Sequence, residues 1–312
     1  MGSIPTVCIT TTDDSGAGLP PGAWDSHVHV VNEARFPFDP GYPYRPKAAT
    51  VDDLLKFERQ TGAEKICLVC ISPYGNNNDS LIDALERLGG KARAVVSIDP
   101  ETITDEELDR LHRAGARGIR VNLKTRNIKM SKDAITAKLF QAADRIRSRG
   151  WLIQSYTGLH QIALIADIIP RLGVRFVVDH MGSPDPSMPA FKQTGHKEML
   201  KLLSQGQIWV KISGIYRFSE LPDLDTWAKA LIEAGPRNVV YASDWPHPGG
   251  TAQLVNGDRH IHQDYRRIDD LGFIQRCKDW CDSDWNTMQR LFVDNPNRLW
   301  LHEEQALIKS LQ

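Results

Sequence analysis

Eight short apolar runs recur along this chain of 312 residues, at 23–31, 65–71, 92–98, 118–123, 151–156, 174–179, 207–213 and 238–243. Each is almost continuously apolar, which suits a strand buried on both faces of a parallel sheet. Between the runs lie segments of 3.6-residue periodicity, such as "VDDLLKFERQTG", "TDEELDRLHRAG" and "DTWAKALIEAG". Several open on Thr, Asp or Ser with acids in the first turn, and most end on Gly, as helices do. Eight strand–helix repeats predict a (β/α)8 TIM barrel. A doubly wound open sheet is the alternative, but it more often carries a glycine-rich phosphate loop after its first strand. Here the first run leads into "HVHVVNEARFPFDPGYPYRP", which has no such loop.

The composition fits one large folded unit. Hydrophobic residues make up 41% and charged residues 25%, and the formal net charge is −1. No global field draws such a chain to nucleic acid or to an anionic membrane surface. No apolar run approaches the roughly 18 residues of a membrane helix. Residues 1–20 read as a polar surface arm without the basic and apolar regions of a secretory signal. Residues 21–312 read as a single barrel domain, and the periodic stretch "DSDWNTMQRLFVDNPNRLW" as an extra C-terminal helix. The five cysteines, Cys8, Cys67, Cys70, Cys277 and Cys281, are odd in number and scattered. Cys67 and Cys70 form a C-x-x-C inside "KICLVCIS", where they read as small buried strand residues. A reducing, cytoplasmic setting is expected; the oligomeric state is left open.

In a barrel, chemistry gathers at the C-terminal ends of the strands. The first run carries His27 and His29 in "AWDSHVHVV". Residues i and i+2 of a strand share a face, so both imidazoles point into the mouth. The sixth run ends in "VVDHMGSP". Neighbours alternate, which leaves one inward place; it is given to His180, with Asp179 orienting a neighbour or capping a turn. The eighth run ends in "YASDWPHP", placing Asp244 at the rim and Trp245 as a wall against solvent. A carboxylate held there among imidazoles can take a proton from water. Arg120 lies within "GIRVNL", Arg126 just after it, and Arg217 in "SGIYRFSE". Three arginines at successive strand ends suggest a mouth that binds an anion through bidentate forks. Tyr156 ends the fifth run, and Tyr44 in "YPYRP" can lean over the mouth.

"PPGAWDSHVHV", "RGIRVN", "DHMG" and "SDWPHP", in that order, resemble the amidohydrolase superfamily, and within it the 2-pyrone-4,6-dicarboxylate lactonase branch. The resemblance runs from about Pro20 to Leu301. It implies a distorted TIM barrel that hydrolyses a cyclic ester reversibly and without a metal. It further implies that His27, His29 and His180 polarise the lactone carbonyl, that Asp244 activates water, and that Arg120, Arg126, Arg217, Tyr156 and Tyr44 hold substrate carboxylates. Metal-dependent members usually carry a Lys or Glu at strand four and a His at strand five, where this chain offers Asn122 and Tyr156. A two-metal site therefore lacks its bridging ligand. One Zn²⁺ on His27, His29, His180 and Asp244 remains a chemically acceptable alternative. It would suit a mononuclear-zinc lactonase or a decarboxylase of aromatic acids. A barrel that only binds an acid or a partner is the third reading, and the His/His/His/Asp set argues against it.

Overall fold

The computed structural model describes residues 18–123, 130–250, 254 and 257–301. Eight strands form one sheet, hydrogen-bonded in chain order and parallel throughout. They are β1 Trp24–Val28, β2 Lys65–Val69, β3 Ala92–Val96, β4 Ala116–Asn122, β5 Leu152–Tyr156, β6 Phe176–Val178, β7 Trp209–Ile212 and β8 Val239–Tyr241. Each falls inside or beside one of the eight apolar runs. Helices α1 Val51–Thr61, α2 Asp79–Arg87, α3 Asp105–Ala114, α4 Lys132–Ile146, α5 Leu159–Ile165, α6 His196–Ser204 and α7 Leu224–Ala234 connect them. Helix α8 Asp270–Trp280 follows the last strand. The fold is the expected (β/α)8 barrel. No helix among the described residues is long and apolar enough to cross a membrane.

Local chemistry sets the helix starts. Thr50 caps α1 reciprocally with Asp53, and Thr104 and Ser131 cap α3 and α4 with their hydroxyls. The expected C-terminal helix is present. It runs as α-helix over Trp285–Gln289, as a π turn over Arg290–Asp294 and as α-helix again over Asn295–Trp300. Its end plugs the bottom of the barrel. Leu299 and Trp300 pack into one cluster with Trp24, Cys67, Val69, Val95, Leu152, Val177, Trp209 and Val240. Cys67 and Cys70 are buried and free, as expected of strand residues. A larger cluster fills the layer between barrel and helices.

The sheet closes between β8 and β1. Asp244 N donates to His27 O at 2.9 Å, and His29 N donates to Trp245 O at 2.8 Å. Buried Asp25 ties the seam from outside the barrel: its Oδ1 accepts from His27 N at 3.1 Å and from Ser243 N at 3.0 Å. Replacing Asp25 with Ala strands two buried donors, so it should destabilise the protein by about 3 kcal/mol. Asp25→Asn keeps an acceptor there and should cost less. Denaturant midpoints of the two variants check the order; equal losses would show that the shared acceptor does not hold the seam.

Candidate active site

The mouth is assembled by a bulge, by strand alternation and by a left-handed turn. On β1 the pairing with β2 advances from Asp25–Ile66 to Val28–Leu68, three steps against two. The extra residue re-aims the strand, as bulges do. Ser26 stays inward, where its Oγ accepts from Trp300 Nε1 at 3.1 Å, and His27 comes inward as well. Val28 packs in the outer layer, and His29 returns to the mouth. On β5, β6 and β7 the inward positions below the mouth are Leu152, Val177 and Trp209. Two residues further along each strand come Gln154, Asp179 and Lys211, all fully buried.

Alternation therefore makes Asp179, not His180, the inward residue of strand six. This corrects the expectation that only one of the pair enters. His180 enters too, because the chain turns left-handed after the strand, with φ of 51° at His180 and 55° at Met181. Gly214 makes room for it, since a Cβ there would stand 2.7 Å from His180 Nδ1. Asp244 also sits at a positive φ, 66°. Such strain in non-glycine residues collects at functional sites.

Asp244 is the hub. His27 Nε2 and His29 Nε2 stand 3.6 and 3.5 Å from its Oδ1, and His180 Nε2 stands 3.7 Å from its Oδ2. The His27 ring centroid lies 4.9 Å from that of His29 and 5.1 Å from that of His180. The sequence thus identified four side chains that meet around one point. Each imidazole is held from behind through Nδ1. His29 Nδ1 faces Val69 O at 2.8 Å, and His180 Nδ1 faces Ser213 Oγ at 2.9 Å. His27 Nδ1 lies 3.3 Å from both Lys211 Nζ and Asp179 Oδ1. Asp244 Oδ2 accepts from Tyr216 Oη at 2.7 Å and from Arg217 Nε and Nη2 at 3.0 and 2.8 Å. Asp244 Oδ1 and His27 Nε2 are buried and make no hydrogen bond among the described residues.

Burial and these partners set the charge states. Burial pulls the pKa of all three imidazoles down, to about 4 for His180. Burial pushes Asp244 up, but the Arg217 guanidinium outweighs it and holds the carboxyl well below its usual range. Asp179 is likewise held low against its burial, with the Lys211 ammonium 3.6 Å from its Oδ1. Near neutral pH the site is an anionic carboxylate facing three neutral imidazoles.

The expected anion-binding residues are distributed unevenly. Arg120 donates from Nη1 to Cys70 O at 2.9 Å. Arg217 is 22% exposed and reaches the mouth, but its fork is spent on Asp244, a partner that sequence reasoning did not foresee. Tyr156 packs edge-on against His180, ring centroids 5.2 Å apart. Tyr44 is buried and packs edge-on against Tyr42, ring centroids 5.2 Å apart. Arg126 lies outside the described residues. Trp245 does not wall the pocket as expected: it stacks on Phe57 of α1, centroids 5.6 Å apart. The sequence reading also missed Lys211, Gln154 and Tyr216. A lysine in the middle of "QIWVKIS" was the available signal, because a buried lysine needs partners.

Comparison with known proteins matches this architecture. The family model described as amidohydrolase matches residues 24–301. The chain belongs to the amidohydrolase family. A 2-pyrone-4,6-dicarboxylate hydrolase of Comamonas testosteroni is 31% identical over 304 residues, which is 92% of each chain. A 4-sulfomuconolactone hydrolase of Hydrogenophaga intermedia is 26% identical, covering 90% of this chain and 89% of its own. A crystal structure from Pseudomonas putida, provisionally assigned as a 2-pyrone-4,6-dicarboxylic acid hydrolase, superposes with a TM-score of 0.71. It is 26% identical and covers 90% of this chain and 98% of its own. The resemblance to the pyrone-dicarboxylate branch is therefore sound, and these relatives are named as lactone hydrolases.

The electrostatics give a direct expectation. Burial disfavours the imidazolium, so lowering the pH through 6.5 should leave the ring signals of His27, His29 and His180 at neutral values. His180 should move only near pH 4. Histidine-selective NMR titration reads this, and a His180 midpoint near 6.5 would contradict the buried, uncharged site.

Proposed function

We propose that this amidohydrolase opens the ring of a lactone bearing carboxylate groups, in the manner of 2-pyrone-4,6-dicarboxylate, with Asp244 as general base. The observation that carries the reading is Asp244 Oδ1: buried, anionic, without a hydrogen bond among the described residues, and 3.5 Å from His29 Nε2. A carbonyl oxygen only accepts, so His29 Nδ1 carries a proton against Val69 O, and neutral His29 presents a lone pair at Nε2. Two acceptors side by side are a cradle for one water, which donates one hydrogen to each. Asp244 takes a proton as that water attacks the lactone carbonyl. The carbonyl oxygen becomes an oxyanion facing His27 and His180. When the tetrahedral centre collapses, the ring C–O bond breaks and the proton passes to the departing ring oxygen. One well-placed oxyanion donor is worth about 2.7–4 kcal/mol. His29 thereby moves from the carbonyl role expected from the resemblance to the water. Arg120 and Tyr44 are the candidates for binding ring carboxylates. The named substrates of both curated relatives are anionic, which agrees.

His27, His180 and Asp244 offer ligand atoms that all lie within 4.8 Å of one another. In donor type this set fits a zinc ion, and His29 could join it. A bound zinc ion would supply Lewis-acid polarisation of the carbonyl. The cations in direct contact with the set favour the metal-free reading, because Lys211 Nζ stands 3.3 Å from His27 Nδ1 and Arg217 pairs with Asp244. Arg217 and Tyr216 also already occupy Asp244 Oδ2.

Asp244→Asn should retain the fold and lower kcat by about 10³-fold, within the range of general-base contributions. A pH-stat panel of anionic and neutral lactones reads this, with anionic rings preferred by the wild type. A variant of near-normal kcat on the preferred lactone would remove Asp244 from the role. Metal analysis with activity before and after chelation should show full activity without stoichiometric zinc. Loss on chelation with recovery on adding zinc would replace the metal-free account.

A further inference from the structure

Directly beneath His27 lies a closed set of three buried side chains that the proposed reaction leaves unused. Lys211 Nζ donates to Gln154 Oε1 at 2.6 Å and lies 3.6 Å from Asp179 Oδ1. Gln154 Nε2 donates to Asp179 Oδ2 at 3.1 Å. The Trp300 ring closes the space below, 5.4 Å from Nζ. All four residues are fully buried or nearly so, and they come from β5, the end of β6, β7 and the C-terminal helix.

The remaining contact of Lys211 is with His27 Nδ1, at 3.3 Å. An ammonium group only donates. A neutral imidazole that accepts at Nδ1 carries its proton on Nε2. Asp179 Oδ1 is the competitor, at the same 3.3 Å from Nδ1, and would favour the opposite tautomer. Its alignment is poor: among the described residues Asp179 Oδ1 makes no hydrogen bond. Its second oxygen is taken by Gln154, and its charge is balanced by Lys211.

We propose that Lys211 is a positioning residue that fixes His27 as the Nε2–H tautomer and so makes it a hydrogen-bond donor toward the mouth. The two neighbouring histidines are then set to opposite tasks from behind. Val69 O leaves His29 an acceptor at Nε2, and Lys211 leaves His27 a donor. Neutral imidazoles can polarise a carbonyl only through such an N–H. The catalytic consequence rests on the lactone-hydrolysis reading, whereas the tautomer does not.

The test uses the full chain labelled with ¹⁵N-histidine at pH 7.5, with His27 assigned by its loss in His27→Gln. Wild-type His27 should show a protonated Nε2 and a bare Nδ1. In Lys211→Met, Asp179 becomes the only partner at Nδ1, and the pattern should invert. In that variant kcat on an anionic lactone should fall about 10²–10³-fold with KM little changed, the effect of losing one oxyanion donor. A wild-type His27 protonated on Nδ1 overturns the proposal, and so does a folded Lys211→Met that keeps Nε2–H. Should Lys211→Met fail to fold, the wild-type spectrum still decides. If the tautomer is as expected but no lactone is turned over, the positioning role stands and the functional reading falls.

Discussion

The seam between β8 and β1 is the interaction on which the site depends. A barrel closes only if its last strand finds its first, and here that contact is made by backbone groups of the site residues themselves. The hydrogen bonds Asp244 N to His27 O and His29 N to Trp245 O put the Asp244 carboxylate and two imidazoles on either side of one joint. Their side chains meet because their main chains are paired. Asp25 secures the joint from the helix side, where burial pushes its carboxyl up to about 6. That cost is accepted at a point where two backbone donors would otherwise be stranded.

Below the seam, the barrel holds charge where most barrels hold aliphatic layers. Lys211 and Asp179 form a buried ion pair, and Arg217 and Asp244 form another at the mouth. Pairs of this kind add little net stability, since desolvation offsets most of their attraction. Removing one partner is a different matter, costing about 3–5 kcal/mol because a bare charge stays behind. What the pairs supply is fixed electrostatics. Each carboxylate stays ionised in an apolar interior, and the imidazoles between them stay neutral.

Much of this was legible in the sequence, and the boundary has physical causes. The eight apolar runs located the eight barrel strands because burial on both faces leaves a continuous apolar trace. His27, His29, His180 and Asp244 were legible because polar residues at the ends of such runs stand out. The extra residue at Ser26–His27 was not, since a bulge has no fixed residue signature when no glycine is needed. Asp179 was misplaced through the choice of phase: with Val177 inward, alternation selects it, and only the left-handed φ at His180 brings both in. Lys211 and Gln154 were hidden inside "QIWVKIS" and "WLIQSY" because an apolar run invites every member to be read as core. The partner of Arg217 depends on the path of the segment between Gly214 and Phe218, which no local pattern specifies.

The same geometry explains why three histidines here are not three copies of one part. Around a neutral imidazole the two nitrogens differ, and the group behind the ring decides which one carries the proton. A carbonyl oxygen stands behind His29, a hydroxyl behind His180, and behind His27 an ammonium with the poorly aligned Asp179 carboxylate beside it. The carbonyl can only accept and the ammonium can only donate, so those two rings are driven to opposite tautomers; the hydroxyl does both and leaves His180 free to follow the ligand. A site needing one acceptor for a water, one donor for an oxyanion and one group that adapts as charge moves is met by this set without any ring becoming charged. Three metal-ligating imidazoles would instead each need a bare Nε2, and the ammonium behind His27 works against that requirement.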